Sequence, residues 1–280
     1  MKITMLGTAA IGYPLAFCNC ENCKDARLHK GKSIRKRASV LINDDLIIDL
    51  GPDTQTAMTM YEKDMSQIKY LLQTHIHTDH YDEGLLCTRI PYMAMKGHNK
   101  LEIYAHPNCL KIMSEKVAAY ENADFLTEKG SNKLNIHSNS LDSGDIVEFG
   151  DYKVKAIECV HDVKNGSLLY VISQNNKNIF YATDTPTLTE KALKQLSGIK
   201  FDVIIMDHTF GNVEYSFSHL NEKLFIEQIE KLREMNCIDC NTQIYGTHIS
   251  HDGMGYHEVI EKRAISNGYN IAYDGMELDI

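Results

Sequence analysis

The chain has 280 residues, 43% hydrophobic and 24% charged, the make-up of an ordinary globular protein. Its 38 acidic residues against 29 basic ones give a net charge of −9, which disfavours a long nucleic-acid partner, because phosphate neutralisation by Lys and Arg supplies most non-specific affinity for polyanions. No apolar run approaches the roughly 20 residues of a membrane span, and residues 1–7 read as a strand and not as a leader, so a cytoplasmic protein with no membrane partner is expected.

In chain order, short apolar strand candidates fall at residues 2–6, 38–42, 46–50, 68–74 and 101–105, then at 146–149, 153–159, 168–173, 178–182, 203–206 and 243–247. Helix candidates at 54–64, 107–120, 189–196, 220–235 and 257–266 interrupt them. There is no internal repeat, low-complexity tract or Pro- or Gly-rich linker, so one domain over residues 1–280 is the expectation. Runs of strands with helices in both halves suit an α/β architecture of two packed sheets with helices on their outer faces.

The polar residues fall in a pattern. Asp49, His75, His161, Asp184, Asp207 and His248 each come at or just past the end of a predicted strand. Groups at strand ends can converge on one rim of a sheet while the strands fix their positions. His75, His77, Asp79 and His80 lie within six residues after the fourth strand candidate. Imidazole and carboxylate donors together suit Zn, Mn or Fe, and the absence of thiolate argues against a closed structural site. One loop cannot surround two ions, so further ligands must come from other strand ends. His161, Asp184 and His248 are placed for that, and Asp184 could bridge two metals through its two oxygens.

Of the eight cysteines, three crowd into Cys18-Asn19-Cys20-Glu21-Asn22-Cys23 and two form Cys237-Ile238-Asp239-Cys240. Without a secretory leader such clusters read as metal ligands or reduced thiols before disulfides. The first lacks a fourth ligand for tetrahedral zinc. The second has no evident partner. His208 is a further candidate for the rim, Asp207 a support for its loop, and Lys36 and Arg37 are candidate anion contacts.

His75-Ile76-His77-Thr78-Asp79-His80 resembles the HxHxDH signature of the metallo-β-lactamase superfamily, and Asp49-Leu50-Gly51, His161, Asp184-Thr185 and Thr247-His248 follow that family's order over the whole chain. The resemblance implies an αββα sandwich. It also implies one metal on His75, His77 and His161, a second on Asp79, His80 and His248, and Asp184 between them, with Asp49 orienting the ligand loops. Narrower likenesses lie at the two ends: Gly7-Thr8-Ala9-Ala10 with the cysteine cluster, then Thr247-His248-Ile249-Ser250-His251 and Ala272-Tyr273-Asp274-Gly275-Met276-Glu277. These resemble PhnP-like phosphodiesterases, in which a histidine at the position of His251 completes a structural zinc with Cys18, Cys20 and Cys23.

That resemblance implies two catalytic divalent ions (Zn or Mn, with Fe also compatible), one structural zinc and a bridging hydroxide that attacks a small phosphodiester, cyclic ones included. His219 matches a phosphate-contacting histidine and, with Asp79, is a candidate catalytic residue. The family's own activity is hydrolysis of a ribosyl cyclic phosphate made during phosphonate breakdown. The expected partner is a small phosphorylated substrate, with a homodimer as an open assembly state. Residues 81–87 and an apparent helical insertion at 107–130 depart from the pattern and bear on the substrate. The alternatives are a carboxyl-ester, thioester or lactone hydrolase, a tRNA-processing endonuclease, or a non-enzymatic protein resembling the pyrroloquinoline quinone accessory proteins.

Overall fold

A computed structural model describes residues 1–94, 98–253 and 255–280. Its first sheet has seven strands in the order β14-β1-β2-β3-β4-β5-β6. These are β1 (Lys2–Gly7), β2 (Ser39–Ile42), β3 (Leu46–Ile48), β4 (Tyr70–Leu72), β5 (Leu101–Ala105), β6 (Ile136–Ser140) and β14 (Glu277–Asp279). The second sheet, also of seven, runs β13-β12-β11-β10-β9-β8-β7. Its members are β7 (Ile146–Phe149), β8 (Tyr152–Glu158), β9 (Leu168–Gln174), β10 (Lys177–Ala182), β11 (Val203–Asp207), β12 (Gln243–Thr247) and β13 (Asn270–Ile271). In each sheet four consecutive strands are parallel, β3 to β6 and β10 to β13, while the remaining pairs are antiparallel.

The strands read as unbroken apolar runs because both faces of each sheet are covered. Side chains alternate between two cores. Val40, Ile42, Ile48 and Leu72 meet Tyr170, Ile179, Tyr181, Val203 and Ile205 between the sheets. The intervening residues face outward to helices. Leu41, Ile47, Leu71 and Ile103 lie under α2 (Thr54–Met60), α3 (Glu83–Cys87), α4 (Pro107–Glu121) and α5 (Glu128–Leu134). Phe180, Ile204 and Met206 lie under α6 (Glu190–Leu196), α7 (Glu222–Glu234) and α8 (His257–Ser266). The result is the expected helix–sheet–sheet–helix sandwich. No helix among the described residues is long and apolar enough to cross a membrane.

Residues 107–130 are not an appended insertion. They hold α4 and the start of α5, the crossover between the parallel neighbours β5 and β6, and Leu110, Met113 and Val117 bury against the sheet. That misreading follows from β6, Ile-His-Ser-Asn-Ser, whose single apolar residue hides the strand that the crossover serves. The short edge strands β13 and β14 and helix α1 (Glu21–His29) also lack a legible pattern.

The parallel strands bring their C-terminal ends to one rim of each sheet, the edge at which α/β proteins present their sites. Asp49, Asp184 and His248 stand just past β3, β10 and β12 with φ of 62°, 53° and 61°. Left-handed backbone at three non-glycine positions is uncommon and clusters at functional sites. Here each such turn re-aims a side chain from the strand direction into the rim.

Candidate metal centre

Asp49 organises the loop that carries the three clustered histidines. Its Oδ1 accepts from the backbone N–H of Thr74 at 2.7 Å and from the Gln73 amide at 3.1 Å, and its Oδ2 lies 2.7 Å from Nδ1 of His80. The same Gln73 amide donates to the carbonyls of His75 and His80, at 2.8 and 2.9 Å, so it ties both ends of the loop together. Gly51 completes the arrangement. A Cβ there would stand 2.4 Å from the Asp79 carbonyl oxygen, so only glycine lets the β3–α2 turn pass that close.

Three overlapping sets of ligand atoms converge on this scaffold, each within 4.8 Å: His75, His77, His161 and Asp184, then Asp79, His80, Asp184 and His248, and beside them Asp184, Asp207, His219 and His248. In the first, Nε2 of His75 and Nε2 of His161 lie 3.0 and 3.2 Å from Nδ1 of His77, and 3.4 and 3.5 Å from Oδ2 of Asp184. In the second, Nε2 of His80 and Nε2 of His248 are 3.2 Å apart and lie 3.2 and 2.8 Å from Oδ1 of Asp184, and each is 3.5 Å from Oδ2 of Asp79. Ligands at about 2.1 Å from a tetrahedral to octahedral ion stand about 3.0–3.4 Å from one another. The observed separations fall around that range.

The opposite nitrogens of these rings are committed elsewhere. Nδ1 of His161 donates to the Ser218 carbonyl at 3.0 Å, and Nδ1 of His248 lies 2.8 Å from the Thr209 hydroxyl. Nδ1 of His75 lies 2.9 Å from the Thr74 hydroxyl, which donates in turn to Asp49. Protons held at Nδ1 leave lone pairs at Nε2, the tautomer a metal requires. Asp184 is 2% exposed, and its Oδ1 faces Nε2 of His248 and His80 at 2.8 and 3.2 Å without a well-directed hydrogen bond, an arrangement of converging lone pairs that a cation would satisfy.

The electrostatics agree. Burial lowers the pKa of His75, His77 and His161, which favours the neutral, ligating form. For His248 burial works in the same direction, yet Asp184 and Asp79 outweigh it and push the imidazole up to about 10. His80 is likewise raised, by Asp184, Asp49 and Asp79 against its burial. Protein alone therefore places protons where positive charge is demanded, and divalent cations can replace them. Access is from the side of His77, whose side chain is 46% exposed.

His219 sits beside this centre, its ring 4.7 Å from that of His161 and 5.2 Å from that of His248. Its Nδ1 lies 2.7 Å from Oδ2 of Asp207. Asp207 thus supports the loop as expected, and it also pairs with His219, a partnership across 12 residues that sequence spacing does not signal. His208 does not line the rim. It points beneath the sheet, with Nε2 2.9 Å from the Tyr269 hydroxyl and its ring 4.9 Å from that of Phe225, because the side chain after Asp207 faces the opposite way along the strand. Lys36 and Arg37 are engaged by Asp274 and Asp53, at 3.5 and 3.1 Å, and do not serve the site as free cations.

The cysteine cluster forms a second centre. Sγ of Cys18, Cys20 and Cys23 lie 3.2, 3.6 and 3.7 Å from Nδ1 of His251. The S-to-N edge of a tetrahedral zinc is about 3.6 Å. Hydrogen bonds from Cys20 hold the Cys18 thiol down at about 7, whereas burial pushes Cys23 up to about 12, and a cation among the sulfurs would favour the thiolate of Cys23. Backbone bonds from Ile249 N–H to the Thr8 carbonyl and from Ala10 N–H to the Ile249 carbonyl, 2.8 and 3.1 Å, join the same two segments just beyond His248. Cys237 is buried and Cys240 exposed, and neither enters a metal-ligand cluster among the described residues.

Residues 45–249 match the model of the Beta-lactamase superfamily domain. No curated protein matches the chain. Among solved structures it is similar to a diphosphatase from the PhnP family, with 20% identity, a TM-score of 0.75 and coverage of 100% of this chain and 97% of that one. It is also similar to Zn(2+)-bound PqqB from Methylobacterium extorquens, with 17% identity, a TM-score of 0.74 and full coverage of both chains. The short form of human tRNase Z is 17% identical, with a TM-score of 0.67 and coverage of 100% and 99%.

Proposed function

The chain belongs to the metallo-β-lactamase superfamily, and we propose that it is a metal-dependent hydrolase with a binuclear centre that cleaves a small phosphodiester. The observation that carries this reading is Asp184. Its two oxygens face two different sets of imidazoles, Oδ2 towards His75 and His161 and Oδ1 towards His80 and His248. His75, His77 and His161 would hold one ion, Asp79, His80 and His248 the other, and Asp184 both.

Two divalent cations there would supply Lewis-acid polarisation of the phosphoryl group and a water acidic enough to ionise near neutral pH. The chain's own groups do the rest. Asp79 and the histidines fix the position of the reacting phosphorus, while Asp49, Thr209 and Ser218 hold those ligands in orientation. His219, held through Nδ1 by Asp207, turns its other ring nitrogen to the substrate. Asp207 raises the pKa of His219 despite its burial, which favours the charged form. As a cation His219 would bind a phosphoryl oxygen or pass its proton to the leaving alkoxide.

That buried acid pair favours a phosphodiester over a carboxyl ester, and the diphosphatase among the similar folds is consistent with it. Cys18, Cys20, Cys23 and His251 would hold a structural zinc that braces the His248 loop. The net charge of −9 disfavours a long nucleic acid, and a small phosphorylated molecule is the proposed partner. The test is a panel on metal-loaded protein containing bis-p-nitrophenyl phosphate, five-membered cyclic phosphates and a lactone. Turnover of the diesters is expected, and a lactone hydrolysed faster than every diester would overturn the assignment.

A further inference from the structure

The connection between β11 and α7 carries His219 and also three aromatic rings, two of which are left at the surface. Phe217 is 76% exposed and Tyr215 45%. Tyr215 and Phe217 pack at 5.6 Å between ring centres, tilted by 32°. Phe210 stands 6.2 Å from Phe217 and 5.7 Å from His219, edge-on to both, so the rings run without a break from His219 outward. The strip is fixed in place. The Ser218 carbonyl accepts from Nδ1 of His161, and the Asn221 amide donates to the carbonyls of Val213 and Glu214 at 3.1 and 3.4 Å.

Leaving a phenyl ring in water forfeits the gain of burying it, and this ring lies two residues from a group beside the metal centre. The patch is only a few side chains, far short of the area a stable protein interface needs. The connection contains no Lys or Arg, which leaves a polynucleotide backbone nothing to bind. What fits an exposed ring joined through Phe210 and His219 to the metal centre is one flat ring carried by the substrate.

We propose that Phe217, flanked by Tyr215, is a stacking platform that selects phosphodiesters bearing a planar heteroaromatic ring such as a nucleobase, so that the substrate is a single nucleotide-like ester. This rests on the reading of the site as a phosphodiesterase. The test compares the p-nitrophenyl ester of thymidine 5′-phosphate with methyl p-nitrophenyl phosphate, which share a leaving group, on metal-loaded wild type, Phe217→Ala and Phe217→Tyr. Calorimetry with thymidine 5′-monophosphate and methyl phosphate on the same proteins gives a readout independent of turnover.

A base stacked on an aromatic ring contributes about 1–3 kcal/mol, so the kcat/KM preference for the thymidine ester should fall about 5- to 150-fold in Phe217→Ala, mostly through KM. Phe217→Tyr should restore it. A preference within twofold of wild type in Phe217→Ala overturns the platform while leaving the phosphodiesterase reading intact. If wild type cleaves neither ester, calorimetry decides. A Phe217-dependent preference for the nucleotide then keeps the platform and removes the phosphodiesterase reading, and no preference removes both.

Discussion

Nδ1 of His219 lies 2.7 Å from Oδ2 of Asp207, a fully buried carboxylate whose Oδ1 also accepts from the N–H groups of Thr209 and Leu220 at 3.0 and 3.1 Å. The pair fixes the orientation of one imidazole beside the ligand sets, and the proposed function gives it the role of acid and not of ligand. His219→Ala should therefore retain its metals and lose about 10²–10⁴-fold in kcat on alkyl diesters, the range of a positioned acid. The loss should shrink for p-nitrophenolate, which leaves without a proton. Asp207→Asn should show a smaller loss with the same dependence on leaving group. Elemental analysis is the control, since a His219→Ala protein that has also lost metal would make His219 a ligand.

The turn at Gly51 carries a sharper structural prediction. A Cβ at 2.4 Å from the Asp79 carbonyl has backbone for a neighbour, so relief must come from shifting the ligand loop itself. Gly51→Ala should fold, with Tm several degrees lower, and bind the second catalytic ion at least tenfold more weakly. Metal titration followed by calorimetry reads this directly. Unaltered affinity for both catalytic ions would show that the loop tolerates displacement of Asp79.

Much of this centre is legible in the sequence because its ligands sit at strand ends within short motifs. The HxHxDH loop, His161, Asp184 and His248 all converge as their positions suggest. Three things are not legible. The role of Gln73 depends on a side-chain amide reaching two carbonyls, which no spacing encodes. The Asp207–His219 pairing joins a strand end to a loop. The strand β6 is too polar to show a period, so the crossover through α4 and α5 reads as an insertion. Position along a strand also separates Asp207 from His208: adjacent residues face opposite ways, and only one of them reaches the rim.

The cysteine centre predicts a stability effect. Cys20→Ser or His251→Ala should lose one zinc per chain and lower Tm, since structural zinc contributes directly to folding. Activity should fall as a consequence, because the segment that bonds to Ile249 is released next to His248. Variants that melt like wild type with undiminished zinc would exclude the clamp.

His208 predicts a pH dependence separate from the metals. Burial holds it down at about 4, below the 6.5 of an ordinary histidine. A depressed histidine is neutral when folded and charged when unfolded between those values, so the unfolded chain binds the extra proton and stability falls as pH drops from 6.5 towards 4. The contribution lost between pH 7.5 and pH 5 is about 2 kcal/mol. Wild type should therefore lose that much more stability over this interval than His208→Gln, measured by urea unfolding. Parallel curves for the two proteins would mean that His208 is not held neutral by the fold.

The central claim is that this fold positions two catalytic ions and one structural zinc, and that the catalytic pair cleaves phosphodiesters. Its most direct test is to strip the protein, restore zinc to the cysteine centre, and titrate Zn or Mn while measuring bound metal and bis-p-nitrophenyl phosphate turnover on the same samples. Turnover should reach its plateau only at three bound ions per chain. Full activity with a single bound ion, or no diester turnover at any loading, would contradict the account.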